Sequence, residues 1–140
     1  MLQQRWVRAG ICVALIVPVL AGCSKPNPLI GKWQMTQNMG IISFTVTREF
    51  KDDGTEIMSG GPQGAMSSQM TYKMDGNTLT ESVTQMTIGG NTMKIDPANL
   101  PPNAPKSMTE TFAVDGDKLT LTSTTKGVQT VQNYTRVTTQ

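Results

Sequence analysis

Polar and apolar residues alternate along most of the chain from Gly31 onward, and threonine is abundant there. This two-residue period is typical of β-strands that bury one face. In the segment 42–47, for example, Ile42, Phe44 and Val46 fall on the same face of a strand. No window after Gly31 shows a 3.6-residue apolar stripe, so the sequence predicts strands and turns rather than helices.

The same alternation predicts further strands along the rest of the chain. The sets of residues that share a face are Met66, Met70, Tyr72 and Met74; Leu79, Glu81, Val83 and Gln85, followed by Met86 and Ile88 beyond a bulge; Leu119 and Leu121; and Val131, Tyr134 and Val137, with one irregularity among them. Two stretches resist strand assignment. We predict a flexible connection over 59–64 and a long loop over 96–107, where four prolines prevent regular pairing.

Three segments, 50–57, 72–79 and 112–119, share one form: an aromatic residue, two residues, Asp-Gly, two residues and an aliphatic residue. Asp-Gly is a strong hairpin signal because both residues tolerate the positive φ of a tight turn. Consecutive hairpins make a meander, and a long meander removes its exposed edges by closing on itself. We therefore predict an all-β fold, an antiparallel up-and-down meander that closes into a small barrel of about eight strands.

The N-terminal segment has the pattern of a secretory signal: Arg5 and Arg8, an apolar run over 9–20, and the small residues Ala21 and Gly22 before Cys23. The apolar run is shorter than the roughly 20 residues that a transmembrane helix needs. The segment 20–23 resembles the cleavage site of bacterial lipoproteins. This resemblance implies cleavage before Cys23, a diacylglyceryl group on its thiol, and a fatty acyl chain such as palmitate on the new amino terminus.

The resemblance to a lipoprotein divides the chain into a signal peptide (1–22), a lipidated tether (23–28) and a β-barrel domain (29–140). It also places the protein in the cell envelope. In that family, Ser24 instead of an aspartate after the lipidated cysteine implies the periplasmic face of the outer membrane.

The composition of the processed chain argues against several functions. Once Arg5 and Arg8 are removed, 10 basic residues face 10 acidic ones, so we expect no nucleic-acid partner. Cys12 leaves with the signal and Cys23 carries lipid, so no disulfide is expected. The chain has no histidine, and Asp52 and Asp53 point to opposite faces of a strand. We therefore expect no enzyme, no catalytic residue, no metal site and no cofactor.

A second resemblance covers residues 29–138. The segment 29–33, Leu-Ile-Gly-Lys-Trp, resembles the Gly-x-Trp opening of lipocalins and of small lipocalin-like domains in bacterial lipoproteins. In that family the tryptophan plugs the closed end of the barrel and a basic residue on the last strand packs across its ring. The resemblance implies that Trp33 and Arg136 form this structural pair.

Nine methionines remain after processing, more than the aromatic residues, and flexible thioethers suit an irregular or adaptable interior. The leading expectation is a small hydrophobic ligand or acyl chain, bound inside the barrel beneath the loop 96–107. The candidate ligand-binding residues are Met70, Tyr72, Met74, Val83, Phe112 and Leu121. Two alternatives stay open: a solid barrel that contacts another envelope protein, and a copper(I) site that pairs Met70 or Met74 with Met86 or Met93.

Overall fold

The computed structural model describes residues 26–102 and 104–138. The signal segment and Cys23 lie outside these residues. The described residues form nine β-strands and one 3-10 turn (Pro62–Gly64): β1 (Gly31–Met39), β2 (Ile42–Phe50), β3 (Thr55–Gly60), β4 (Met66–Asp75), β5 (Thr78–Ile88), β6 (Asn91–Lys94), β7 (Met108–Asp115), β8 (Lys118–Thr125) and β9 (Val128–Arg136). Within this part of the chain, no helix has the length and apolarity to cross a bilayer.

Eight of the nine strands form a closed antiparallel barrel. The hydrogen-bonded order is β4-β3-β2-β1-β9-β8-β7-β5-β6, and an additional pairing of β4 with β5 closes the ring. Strand β6 is an extra strand that pairs with the last four residues of β5, while β7 pairs with the first four. The predicted all-β meander of about eight barrel strands is confirmed.

The turns divide between the two ends of the barrel. The three Asp-Gly turns, which join β2 to β3, β4 to β5 and β7 to β8, all lie at one end. We call this the closed end, because Leu29 and Trp33 are fully buried there. The connections β1–β2, β3–β4, β5–β6 and β8–β9 lie at the opposite end, the mouth.

The bulge predicted for β5 is confirmed, whereas the irregularity predicted for the last strand is not. The register of β4 and β5 shifts between Gln69 and Met70, so Met86 pairs with Ser68 and Ile88 with Met66, beyond the predicted bulge. The irregularity predicted for the last strand is wrong. Strand β9 pairs with β8 without a shift, and Val131 is exposed on the outer face. The inner face of β9 carries Gln132 near the mouth, so polar residues there are not confined to the outer face of the barrel.

Contacts around Trp33 seal the closed end. The indole Nε1 donates a hydrogen bond to the Leu29 carbonyl at 2.8 Å. The guanidinium carbon of Arg136 lies 4.0 Å from the centre of the Trp33 ring, so the pair expected from the resemblance is present. Arg136 also donates to the carbonyls of Ile30 (2.9 Å) and Pro28 (3.2 Å). One side chain therefore fixes the incoming chain against both β1 and β9.

Strands β1 and β9 join over a short distance. Their register pairs are Trp33 with Arg136 and Gln34 with Thr135, whereas β1 and β2 pair along nine positions. A further backbone hydrogen bond runs from Val137 N to Lys32 O at 2.8 Å. The seam between the first and last strands is thus bonded at the closed end, and no ladder pair joins the two strands beyond Gln34 and Thr135.

Two features favour glycine at position 31, its positive φ and the close approach of the Arg136 side chain. The φ of Gly31 is +124°, and a Cβ at this position would lie 2.8 Å from Arg136 Nη1. We expect Gly31→Ala to lower the free energy of unfolding by about 1–3 kcal/mol, because it adds a collision to a backbone conformation that favours glycine. Urea denaturation followed by tryptophan fluorescence measures this loss.

Gly40→Ala is the matched control for this prediction. Gly40 also has positive φ, +64°, but a Cβ there meets no atom within 4 Å. The control carries only a backbone cost, and a smaller one, because +64° lies in the left-handed α region that L residues can enter and +124° does not. Equal losses in the two variants would show that the contact with Arg136 places no constraint on residue 31.

Candidate functional site

A cavity of about 580 Å³ lies at the mouth of the barrel. Its volume falls within the range of small-molecule sites in proteins, about 300–1,000 Å³. Most of its lining comes from the inner faces of β1 to β5 and β9, together with the start of the β3–β4 connection. The lining residues are Met35, Gln37, Met39, Phe44, Val46, Met58, Ser59, Gly60, Gly61, Pro62, Met66, Ser67, Ser68, Met86, Gln132 and Tyr134.

Five methionines meet in this cavity: Met35, Met39, Met58, Met66 and Met86. The strand register places Met58 and Met86 on either side of Ser68, one on β3 and one on β5. Unbranched thioether side chains change rotamer at low cost and fit contacts of different shapes. The wall of the cavity is therefore apolar and adaptable.

Ser68 is a polar exception in that wall. Its side chain is buried, and its hydroxyl oxygen has no hydrogen-bond partner among the described residues. A buried hydroxyl without a partner costs about 1–3 kcal/mol. A ligand or a water with a polar atom at this point would recover part of that cost.

The cavity wall carries no ionised side chain. Among the described residues that line it, none is a lysine, arginine, aspartate or glutamate. Its polar groups are the amides of Gln37 and Gln132, the serine hydroxyls and the phenol of Tyr134. The Tyr134 phenol is already occupied, since it donates to Gln132 Oε1 at 3.2 Å.

A buried cluster of charged residues lies directly beneath this cavity. Arg48 is 3% exposed and points into the barrel from β2. Its Nε and one terminal nitrogen donate to the two carboxylate oxygens of Glu56, at 2.5 Å and 3.1 Å. The same terminal nitrogen donates to Glu81, and the other reaches Glu110 at 3.2 Å. One cation is thus shared by carboxyl groups from β3, β5 and β7.

Aromatic rings and burial shape the electrostatics of this cluster. The guanidinium of Arg48 lies 5.2 Å from the Phe50 ring centre and 5.9 Å from that of Tyr134. Burial, followed by the neighbouring Glu56 carboxylate, raises the pKa of Glu81 to about 9. This shift favours the protonated form of Glu81 and reduces the negative charge that the three carboxyl groups place around one arginine.

The cluster and the cavity share a boundary. Arg48 pairs with Met58 across β2 and β3, and Tyr134 contacts Arg48 while lining the cavity. The floor of the cavity therefore rests on side chains that the ion pairs hold in place. Within the described residues, no group of three or more His, Cys, Asp or Glu side chains is arranged to hold a metal ion.

The six residues proposed from the sequence as ligand contacts lie elsewhere in the barrel. Met70, Tyr72 and Leu121 are buried, Met74 and Phe112 pack against the core, and Val83 is half-buried opposite Met70. None of the six lines the 580 Å³ cavity. They do not share one level of the barrel: Leu121 pairs with Gln132, which lines the cavity, whereas Tyr72 packs edge-on against Phe50 with ring centres 5.2 Å apart.

The loop 96–107, predicted to cover the cavity, lies away from it. The proline-rich loop leaves β6 beside Thr84 and returns at Met108, which pairs with Glu81, so it emerges at the side of the barrel. None of its described residues lines the cavity.

The copper hypothesis requires methionines on neighbouring strands to face each other. Met86 pairs with Met93 and Ser68, while Met70 pairs with Val83 and Met74 with Leu79. The register does not set Met70 or Met74 opposite Met86 or Met93.

Arg48 and Glu56 were not predicted from the sequence, although the sequence carries a signal for Arg48. Residues 44, 46, 48 and 50 share a face, and three of the four are apolar. An arginine in this series must point inward unless the register changes. A buried arginine keeps its charge, so we would expect carboxylates on neighbouring strands to pair with it. Glu81 carried the same signal, because it shares its face with Leu79 and Val83.

Comparison with known proteins adds no family: no protein-family model matches the chain, and no curated protein matches it.

The raised pKa of Glu81 predicts a pH dependence of stability. Between about pH 4.5 and pH 9 the unfolded state loses this proton and the folded state keeps it. The free energy of unfolding therefore falls as pH rises through this window, by at most about 1.4 kcal/mol per pH unit for one group. We expect Glu81→Gln to flatten the fall, measured by urea unfolding at pH 5 and pH 8.

Glu49→Gln is the control for this prediction. Glu49 is a carboxylate on the outer face, 41% exposed and 4.0 Å from Lys32. Its removal should leave the slope of stability against pH as in the wild type. If Glu81→Gln kept that slope as well, the buried acid would not be the group that holds the proton.

Proposed function

We propose that this chain is a lipid-anchored, lipocalin-like protein of the cell envelope that holds a small hydrophobic molecule in the mouth of its barrel. The observation that carries the proposal is the 580 Å³ cavity with its methionine-rich, uncharged wall. Such a surface binds by excluding water from apolar groups, and its thioethers adapt to the shape of the guest.

The cavity limits the size and charge of the buried part of the ligand. At about 30 Å³ for each water-sized group, it holds on the order of twenty such groups, enough for a medium-length acyl chain or a compact ring system. A charged head group inside would find no partner, because Arg48 already binds three carboxyl groups. An acyl chain therefore enters tail first and keeps its head group at the mouth.

The proposed lipid anchor is compatible with an open mouth. Asn27 donates a hydrogen bond to the Tyr72 hydroxyl at 3.0 Å, and Leu29 is buried at the closed end. Cys23 precedes Asn27 by four residues, which span at most about 14 Å. A lipid on Cys23 therefore holds the closed end near its membrane, which we propose to be the periplasmic face of the outer membrane.

The cavity favours a binding protein over a solid interaction module. A barrel that serves as a solid interaction module would fill its interior, whereas this one leaves a space of the size that ligands occupy. Copper(I) is the other guest that five thioethers would accept. The mass of a captured guest distinguishes the two, so one experiment decides between them.

We expect the lipid-free domain, residues 24–140, to retain a hydrophobic molecule when it is made in a bacterial periplasm and gently purified. Native mass spectrometry would show extra mass that disappears on denaturation, and its value would identify an organic guest or copper. Ser68→Leu should occupy part of the cavity and weaken binding of the neutral probe N-phenyl-1-naphthylamine tenfold or more, because the leucine side chain takes space that the guest needs.

Thr71→Leu is the control, since Thr71 lies on the exposed face of the same strand. It adds the same side chain outside the cavity and should bind the probe like the wild type. A bare mass together with probe binding that Ser68→Leu leaves unchanged would refute the proposed site and favour the solid interaction module.

A separate experiment tests the anchor. We expect the full chain to incorporate labelled palmitate and to sediment with membranes, and Cys23→Ser to lose the label because the acceptor thiol is gone. Cys12→Ser changes the other cysteine of the chain and should stay labelled. Label retained in Cys23→Ser would refute lipidation at this residue without affecting the cavity.

A further inference from the structure

Exposed apolar side chains surround the opening of the cavity. Ile41, at the tip of the β1–β2 turn, is fully exposed, and Met39, Ile42, Met66 and Ile88 are between 46% and 63% exposed. Met39 pairs with Ile42, and Met66 pairs with Ile88. We call these five residues the apolar rim. Two of them, Met39 and Met66, also line the cavity, so the apolar surface is continuous from inside to outside.

Charged residues are distributed unevenly between the two ends. The four connections at the mouth, 39–42, 60–66, 88–91 and 125–128, contain one charged residue, Lys126. The three turns at the closed end carry many more. Those charged turn residues are Lys51, Asp52, Asp53, Asp75, Asp115, Asp117 and Lys118. An exposed apolar surface with no carboxylate and one lysine suits a lipid surface that bears anionic head groups.

We infer that the apolar rim docks onto an anionic lipid bilayer, so that a hydrophobic molecule passes between the bilayer and the cavity without crossing water. Ile41 and its neighbours enter the head-group region, as the apolar face of an interfacial segment does. Lys126 lies at the same end and meets the anionic head groups. The acidic turns stay at the far end, where repulsion by the surface is weakest.

The position of the incoming chain leaves this surface free. Residues 26–30 cross the closed end, and β1 then runs nine residues to the mouth, roughly 30 Å of strand. The rim and the segment that leads to Cys23 are therefore at opposite ends of the barrel. The docked bilayer is thus not the membrane that holds the proposed anchor, and the inference goes beyond the proposed function.

Vesicle binding by the lipid-free domain tests the inference. All strand pairings of the barrel lie within residues 31–136, so residues 24–140 contain the whole fold. We expect co-sedimentation with phosphatidylglycerol vesicles, and binding to phosphatidylcholine vesicles roughly fivefold weaker, because one lysine contributes about that factor near an anionic surface. Ile41→Asp should weaken binding at least tenfold, because an inserted apolar tip becomes a charge.

Two further variants sharpen the test. Val131→Asp places the same charge on the exposed outer wall of β9 and should bind vesicles like the wild type. Lys126→Gln should remove the preference for phosphatidylglycerol. Urea unfolding of each variant establishes that it is folded.

The inference is overturned if the wild type fails to sediment with either vesicle, or if Ile41→Asp binds as well as Val131→Asp. A concentration-dependent dimer that Ile41→Asp abolishes, in a protein without vesicle affinity, would assign the rim to a second copy of the chain and also overturn it. Because N-phenyl-1-naphthylamine binding is measured without vesicles, loss of docking and loss of the cavity function are distinguishable.

Discussion

The neutralisation of Arg48 inside the barrel is the constraint on which the rest of the interior depends. A guanidinium cannot give up its proton, so burying it requires carboxyl groups around it. Glu56, Glu81 and Glu110 supply them from three other strands. This cross-connection divides the interior into two regions. Below it lie the aromatic and leucine side chains that fill the closed end, and above it lies the cavity.

The two ends of the barrel differ both in the charge of their turns and in the packing of the interior next to them. The closed end joins charged turns to a sealed core, with Arg136 stacked on Trp33 and bonded to the incoming chain. The mouth joins apolar turns to an adaptable cavity. This polarity agrees with both proposals, an anchor at the closed end and a hydrophobic guest with a lipid surface at the mouth.

Strand periodicity and turn chemistry were enough to predict the architecture. The alternation of Ile42, Phe44 and Val46, and the three Asp-Gly turns, are local signals, and each depends on the backbone within a few residues. The register shift between β4 and β5 could also be predicted, because the apolar residues of β5 change parity between Val83 and Met86. Strand β6 was not predicted as an extra strand, since nothing local distinguishes it from a barrel strand.

The site was harder to predict than the fold, for a physical reason. A two-residue period says which side chains point inward, and it says nothing about their height along the barrel axis. Tyr72 and Phe112 point inward as expected, yet they lie at the level where the barrel is filled. Height is set by which strands pair and in what register, and that is a property of the whole sheet. The positions of Met58 and Met86 beside Ser68 follow from it.

The short seam between β1 and β9 has a consequence for the kinetics of the cavity. Ladder pairing ends at Gln34 and Thr135, and the side chains that face each other beyond it, among them Met35, Gln37 and Gln132, line the cavity. The wall at this point lacks ladder pairing between β1 and β9. We expect such a seam to widen through side-chain rotamer changes, on the picosecond-to-nanosecond timescale of exposed side chains, with the barrel left intact. Exchange of a guest would then be limited by its own desolvation instead of by opening of the fold.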